Sequence, residues 1–349
     1  MLYYIKPIEH LPSAECEPAN RSIVFAIMRS TFMLFLFVIL FTFGTVTFAN
    51  EALPDLVISG FSWAENLVFD GFGNMFVCDG VRGEIWRINL CENGSKYCSV
   101  LQLSDGLTSV GGMQIPPDGQ TIYAGATLDD KTYILMSTEA NPVGKASYNI
   151  LATTKFQPNG LAADWENNIL YYTYEGRSDN PGALMAYDIK SKTDIKVYPD
   201  LSGADGAWFD ATSHLLYVGL LTDKSIMVFN TSISYKDPAF LVGKYAGLNS
   251  LDKTHMLDDL TLFDPTQPFS SSTVLLGADW LHSELQKFNL AGTEITSIPP
   301  PAGIEKFYQL TSVRWGKGPG FDPNSIYVTE GGGVLPRQTD RRVIQIKMK

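Results

Sequence analysis

The amino-acid sequence predicts an all-β protein, and three observations lead to this class. An acidic residue opens a short polar turn six times, each anchor stands 46 to 58 residues from the next, and the runs between the turns are short, apolar and rich in β-forming residues. A repeat of about 40–50 residues with turns between short strands is typical of a β-propeller. We therefore expect a six-bladed β-propeller. The anchors are Asp70, Asp118, Asp164, Asp210, Asp264 and Asp322.

Each repeat predicts an inner strand before the acidic turn, a second strand after it and a third strand beyond. In the first repeat these are ENLVFD, MFVCD and GEIWRI. Two further strand patterns stand alone at the ends of the domain, at Asp55–Ser59 and Arg342–Met348. A propeller hides its terminal edges by building one blade from both ends of the chain. We expect Asp55–Ser59 to complete the sixth blade.

Composition fits one globular domain with many strands. The chain has 349 residues, of which 45% are apolar and 12% aromatic. Its formal net charge of −11 argues against a nucleic-acid partner, because binding nucleic acid requires clustered lysine and arginine. The same charge is compatible with a bound metal cation.

The amino-terminal residues carry a targeting pattern. Arg29 precedes the apolar run Phe32–Phe41, and the small residues Thr47 and Ala49 follow at the spacing of a signal-peptidase site. We interpret residues 1–27 as a cytosolic or mis-annotated leader, 28–49 as a signal peptide or signal anchor, and 50–349 as the propeller. We expect a secreted protein; the alternative is a single-pass protein whose only membrane contact is this uncleaved segment.

The cysteines and sequons agree with a secretory compartment. Cys91 and Cys98 bracket a turn-rich stretch, and we expect a disulfide between them. Cys78 lies in an apolar strand pattern and is expected to be a free, buried filler. Asn93 and Asn230 begin glycosylation sequons in predicted loops.

Candidate functional residues lie where the inner strands begin, because these positions face the axial channel of a propeller. Read at the same offset before each acidic turn, the sequence places oxygen donors in several repeats. Glu65, Asn159, Asp205 and Asp259 are hard ligands without histidine or cysteine, which favours Ca²⁺, or another divalent cation such as Mg²⁺, over a transition metal.

From Leu53 to Lys349 the chain resembles the senescence marker protein/gluconolactonase/luciferin-regenerating-enzyme-like family of calcium-dependent six-bladed hydrolases. The resemblance is carried by ENLVFD at Glu65, PNGLAAD at Asn159 and ADGAWFD at Asp205, in order and in phase. It implies that these three residues hold the metal and that Asp205 also accepts a proton as general base. The Asp258-Asp259 pair is similar to fifth-blade ligands of the related paraoxonases.

The second repeat departs from the family. Where family hydrolases carry an arginine and an Asn-Asp pair, this chain has Ser109, Gly111 and Gly112. A missing guanidinium removes an anchor for polar substrate oxygens. We therefore expect a less polar lactone or ester as substrate.

Five further residues are predicted to line the substrate pocket. They are Asn66, Gly112, Asp258, His255 and Thr311. His255 either shuttles protons or faces solvent in a loop, and no role is assigned to the other histidines. The tryptophans beside the inner strands either line an apolar pocket or pack between blades.

The sequence thus predicts a calcium-dependent hydrolase of lactones or related esters. One alternative is a non-catalytic propeller that binds a ligand or protein and holds a structural metal. A second is a metal-free enzyme similar to strictosidine synthase. A serine triad is disfavoured because no GxSxG motif is present. The oligomeric state is left open.

Overall fold

The computed structural model describes residues 56–91, 97–103, 106–129, 131–142, 146–177, 180–222, 225–244, 256–263, 273–289, 295–332 and 341–348. All of them belong to the unit that spans residues 51–349. The predicted leader, the apolar segment, Asn93, His255 and Asp264 lie outside these ranges. Within them, no helix has the length and apolar character needed to cross a membrane.

The described residues form six four-stranded antiparallel sheets. Blade 1 contains β2 (Ala64–Phe69), β3 (Asn74–Asp79), β4 (Glu84–Leu90) and β5 (Tyr97–Leu103). Blade 2 contains β6 (Leu107–Gln114), β7 (Thr121–Leu128), β8 (Thr132–Glu139) and β9 (Tyr148–Thr154). Blade 3 contains β10 (Leu161–Asp164), β11 (Ile169–Arg177), β12 (Asn180–Asp188) and β13 (Thr193–Pro199).

Blade 4 contains β14 (Ala204–Asp210), β15 (Leu215–Leu220), β16 (Ser225–Asn230) and β17 (Leu241–Lys244), with a short 3₁₀ helix, Pro238–Phe240, between the last two. Blade 5 contains β18 (Leu257–Phe263), β19 (Val274–Asp279), β20 (Glu284–Asn289) and β21 (Ile295–Ile298). Blade 6 contains β22 (Leu310–Trp315), β23 (Ser325–Glu330), β24 (Arg342–Lys347) and β1 (Leu56–Ser59). Each inner strand contacts the inner strands of both neighbouring blades, which confirms the predicted six-bladed propeller.

Blade 6 closes the ring in the predicted way. Its outermost strand, β1, comes from the start of the domain and pairs antiparallel with β24 from the end, with Leu56 opposite Ile344 and Ser59 opposite Arg342. The order β22-β23-β24-β1 therefore joins the first and last strands of the propeller in one sheet. This pairing replaces two free strand edges by backbone hydrogen bonds.

The recurrence of an aspartate at each turn has a local structural reason. Each described anchor carboxylate accepts a backbone N–H from its own turn, so the aspartate closes the hairpin between inner and second strand. Representative donors are Phe72 N to Asp70 at 2.7 Å, Thr212 N to Asp210 at 2.9 Å and Asn324 N to Asp322 at 2.9 Å. The repeat in the sequence is thus a repeat of one turn type.

The core lies between the blades. Six clusters of buried apolar residues are found, and each joins one pair of neighbouring blades. Phe288 and Phe229 are examples of fully buried side chains in these interfaces. Truncating such a side chain to alanine costs about 3–5 kcal/mol, so every blade depends on its neighbours for stability.

The cysteine predictions are confirmed. Cys91 and Cys98 form a disulfide between the end of β4 and the start of β5, with Cα atoms 5.1 Å apart. Cys78 is free and fully buried between blades 1 and 2, where its thiol donates to Gly111 O at 3.1 Å. A disulfide fits folding in an oxidising compartment; secretion itself stays a prediction.

Candidate metal and substrate site

A cavity of about 690 Å³ opens where the inner strands begin and the second strands end. It receives Glu65 from blade 1, Asn159 from blade 3, Asp205 from blade 4 and Asp258 from blade 5, and blade 2 contributes Ser109 and Val110. Five blades therefore contribute to one site. Glu65, Asn159 and Asp205, which the sequence predicts as metal ligands, all line it.

The site residues stand at irregularities of the inner strands. The pairing register shifts between Ala64 and Leu67, between Val110 and Met113, between Ala204 and Ala207, between Leu257 and Asp259, and between Leu310 and Ser312. A β-bulge leaves a residue without a cross-strand partner and changes the direction of its side chain. These shifts contain Glu65, Gly111, Asp205, Asp258 and Thr311, which explains how an ordinary strand presents polar groups to the axis.

Asp205 is the most enclosed acid of the site. It is only 2% exposed, its carboxylate lines the cavity, and no hydrogen-bond donor among the described residues reaches that carboxylate. Its backbone oxygen accepts from the Thr173 hydroxyl, which fixes β14 against blade 3. Burial, reinforced by repulsion from Glu175 and Glu65, holds the pKa of Asp205 well above its usual value.

Glu65 is half-buried and held by a neighbour. The indole N–H of Trp63 donates to its Oε2. Burial raises the pKa of Glu65 to about 7; the Trp63 hydrogen bond opposes that shift, and nearby carboxylates, led by Glu175, add to it. Such mutual repulsion among neighbouring carboxylates favours binding of a cation between them.

Asn159 is oriented by Glu175, a residue that sequence reasoning missed. Its Nδ2 donates to Glu175 Oε1 at 3.0 Å, so its amide oxygen is left as an acceptor. Desolvation at the cavity wall raises the pKa of the Glu175 carboxyl group, and the hydrogen bond from Asn159 partly offsets this shift. A usable signal existed: Glu175 follows the run ILYYT of the second strand, and Asp79 and Asp279 end the second strands of blades 1 and 5.

The acidic pair of blade 5 divides between two environments. Asp258 lines the cavity, and burial together with repulsion from Asp205 and Glu65 keeps its pKa well above the usual value. Asp259 is 3% exposed and is not part of the cavity wall. Its Oδ2 accepts from Arg314 Nη1 and Ser312 Oγ, both at 2.5 Å, while its Oδ1 accepts from Leu260 N at 2.8 Å.

Two of the predicted pocket residues, Asn66 and Thr311, are buried and hydrogen-bonded between inner strands. Asn66 donates to Asp259 Oδ2 at 3.4 Å and accepts from Met113 N at 3.3 Å. Thr311 donates to Ala64 O at 2.6 Å. Both residues tie inner strands together and do not line the cavity.

The two glycines of blade 2 allow a close backbone contact. Gly112 N donates to Asn159 O at 2.6 Å, and a Cβ atom on Gly112 would overlap that oxygen. A Cβ on Gly111 would lie 2.9 Å from Pro158 O and 3.2 Å from Asn159 Oδ1. Blade 2 therefore approaches the ligand segment of blade 3 with bare backbone and supplies no amide ligand there.

The cavity also has aromatic walls. Trp63, Tyr133, Phe156 and Trp280 line it. Phe156 is packed by Tyr174, with ring centroids 5.1 Å apart. Two other tryptophans beside the inner strands, Trp208 and Trp315, pack between blades: Trp208 lies under the Arg314 guanidinium, and Trp315 donates to Leu262 O at 3.1 Å.

A preformed metal centre requires several ligand side chains within reach of one point. Among the described residues, no three histidine, cysteine, aspartate or glutamate side chains are grouped closely enough to hold an ion as they stand. The donor chemistry nevertheless fits a hard cation, because four acidic residues and Asn159 line the same cavity and no described donor reaches the Asp205 carboxylate.

Comparison with known proteins extends the fold description. No family model matches the chain, and no curated protein matches it. Solved structures do match. A luciferin-regenerating enzyme superposes with a TM-score of 0.59 at 12% identity, covering 84% of this chain and 93% of that one. The calcium-binding protein regucalcin from Agrobacterium tumefaciens gives 0.61 at 12%, covering 85% and 95%.

The fold is shared with luciferin-regenerating enzyme and regucalcin. This agrees with the family resemblance found in the sequence, and at this identity it is a statement about architecture. An auxiliary nutrient binding protein from Bacteroides ovatus also matches, with a TM-score of 0.62 at 11% identity over 86% of this chain and 75% of that one. The same architecture therefore serves an enzyme and binding proteins.

Proposed function

We propose that the protein is a calcium-dependent hydrolase of lactones or related esters. The observation that carries the proposal is the convergence of Glu65, Asn159 and Asp205, from three separate blades, on one cavity. The similarity in fold to a calcium-binding protein and to an enzyme supports it.

Glu65, Asp205 and the amide oxygen of Asn159 would hold the ion, since Asn159 Nδ2 is already used by Glu175. Asp258 would be the fifth-blade ligand, because Asp259 is engaged by Arg314 and does not reach the cavity wall. A bound calcium ion would polarise the substrate carbonyl and stabilise the developing oxyanion. Binding would require the Glu65 and Asp205 carboxylates to turn towards a common point.

Asp205 is assigned as the general base. Its side chain is buried in the wall of the cavity and accepts no hydrogen bond from a described residue, so an oxygen lone pair is available to a proton. It would take the proton from the attacking water as the bond to the carbonyl carbon forms. The acyl C–O bond of the substrate would then break, and the leaving oxygen would take up that proton from Asp205. Trp63 and Trp280 line the same cavity and would shield the reacting groups from bulk solvent.

The blade 2 glycines bear on the substrate. Gly111 and Gly112 leave no room for the side chains with which family hydrolases contact polar oxygens, and Ser109 is the nearest polar group in that strand to line the cavity. With aromatic walls in addition, the site favours a less polar lactone or ester over a sugar lactone.

A second candidate is a binding propeller without catalysis. It is favoured by the absence of a preformed acid cluster among the described residues and by the match to a nutrient binding protein. Both candidates predict calcium binding, so a measurement of substrate turnover is needed to distinguish them.

The test uses the full chain. Calcium binding is measured by calorimetry, and hydrolysis of a panel of aliphatic and aryl lactones is measured with calcium and with a chelator. Asp205→Asn should abolish turnover, whereas Asp200→Asn, an exposed residue in a left-handed conformation that asparagine also adopts, should not change it. Equal hydrolysis by Asp205→Asn and wild type would remove the catalytic assignment.

A further inference from the structure

The charged residues that line the cavity, among those described, are all acidic. Its wall contains four carboxylates, from Glu65, Glu175, Asp205 and Asp258, and no lysine, arginine or histidine among the described lining residues. The buried Asp205 carboxylate, without a described donor, points into this space. Such a wall attracts cations and repels anionic ligands.

The apolar part of the wall is suited to the same kind of ligand. Tyr133 and Phe156, with ring centroids 6.5 Å apart, line the cavity together with Glu175. Aromatic faces attract ammonium groups, and the attraction increases when water is excluded. Phe156 already shows this behaviour, because the exposed Lys155 places its Nζ 5.4 Å from the ring centroid.

We propose that the cavity binds an organic ammonium ion carried on an apolar body, with Glu175 as its counter-ion and Tyr133 and Phe156 as its aromatic wall. Glu175 is fixed for this role by Asn159, which holds its Oε1 and leaves Oε2 for the ligand. This inference goes beyond the proposed hydrolase, because ammonium binding needs neither a metal nor turnover. If the protein is a hydrolase, its substrate is an ester or lactone that carries an amine.

Three small probes of similar shape and different charge test the proposal. They are 2-phenylethylammonium, 2-phenylethanol and phenylacetate, and their affinity for the full chain is measured by calorimetry in the presence of a chelator. We expect the ammonium ion to bind at least about tenfold more tightly than the alcohol, and the carboxylate to bind more weakly than both. Equal affinity for ammonium and alcohol, or no binding of the ammonium ion, overturns the proposal.

Variants locate the subsite. Glu175→Gln keeps the acceptor for Asn159 and removes the charge, so it should reduce ammonium affinity about tenfold and leave 2-phenylethanol binding unchanged. Phe156→Leu should reduce the affinity for the ammonium ion more than the affinity for the alcohol. Glu166→Gln, in an exposed turn of the same blade, is the matched control and should have no effect. A loss of both ligands in Glu175→Gln, or an equal loss in Glu166→Gln, contradicts the assignment.

The two proposals can fail separately. Absence of calcium binding or of lactone turnover removes the hydrolase and leaves ammonium binding in chelator untouched. Calcium-dependent turnover of lactones with no preference for the ammonium probe removes the ammonium subsite and leaves the hydrolase in place.

Discussion

The guanidinium of Arg314 and the carboxylate of Asp259 meet at 2.5 Å in the buried centre of the propeller. Arg314 comes from blade 6 and Asp259 from blade 5, and both side chains are almost inaccessible to solvent. Arg314 also donates to Leu260 O at 3.1 Å and lies over the Trp208 ring of blade 4. The side chain of Arg314 thus contacts residues of two other blades, 4 and 5.

The first prediction concerns this pair. Asp259→Asn or Arg314→Met alone should lower the free energy of unfolding by about 3–5 kcal/mol, because each leaves a buried charge without its partner. The double variant should lose less than the sum of the two, since no unpaired charge remains. Urea unfolding of the four proteins measures the coupling, and additive losses would show that the two groups act independently.

The second prediction separates the two neighbouring aspartates. Asp258→Asn should reduce calcium affinity at least about tenfold with little change in stability, because Asp258 faces the cavity. Asp259→Asn should show the reverse pattern, a large stability loss from its broken ion pair. Calorimetry and urea unfolding on both variants decide the matter. The assignment is wrong if Asp259→Asn removes calcium binding while the fold stays intact.

The third prediction concerns the blade 2 glycines. Gly112→Ala should destabilise the protein by roughly 2–4 kcal/mol, because its Cβ would overlap Asn159 O and push the ligand segment of blade 3. Gly106→Ala is a useful comparison, since Gly106 has open space and only a strained φ of 74°; it should cost about 1 kcal/mol. Thermal and urea unfolding give both values, and equal losses would argue against steric overlap.

The fourth prediction is a pH dependence at the blade 6 turn. The backbone N–H of Asn324, followed by the hydroxyl of Ser325, lowers the pKa of Asp322 in the folded protein. Because the folded-state pKa lies below the unfolded-state value, the stabilisation is complete above the unfolded-state value and is lost as pH falls through the folded-state one. The stability difference between wild type and Asp322→Ala should therefore be larger near pH 7 than near pH 3. Urea unfolding at both pH values measures it, and a difference independent of pH would contradict this reasoning.

The fifth prediction tests the compartment. Asn230 lies at the end of β16 in a turn where its side-chain oxygen accepts from Ser232 N at 3.1 Å, and it begins an acceptor sequon. If the apolar amino-terminal segment directs secretion, the full chain made in eukaryotic cells should carry a glycan at Asn230. Peptide N-glycosidase should then shift its mass, and Asn230→Gln should reduce that shift. A secreted protein without a glycan at this residue would contradict the site prediction.

Much of the architecture was readable from the sequence because it follows from local chemistry. Each described acidic anchor closes its own turn through local hydrogen bonds, so the repeat is visible in a single sequence. The closing strand at Leu56–Ser59 was predictable for a different reason, namely that an open ring would expose two strand edges. Glu65, Asn159 and Asp205 could be found because they occupy equivalent positions before three of these turns.

The assignment within blade 5 could not be read from the sequence. Successive residues in a strand point to opposite sides, and a bulge shifts that alternation by one. The register of β18 shifts between Leu257 and Asp259, so the offset that identifies Glu65 does not show which aspartate faces the cavity. Tyr133 and Phe156 were missed because they lie outside the inner strands, where the pattern does not show which side chains face the cavity. Glu175 was missed because the prediction used only the inner-strand positions.

The pairing of β1 with β24 also sets the order in which the molecule can be completed. During synthesis β1 emerges before the other described strands of the propeller, and its partner, Arg342–Lys347, is made after all of them. Domains fold as units while the chain grows at about 5–20 residues per second. The sixth blade must therefore wait, with β1 unpaired, until β24 has been translated, and a chain cut short before Arg342 would leave a ring that cannot shut.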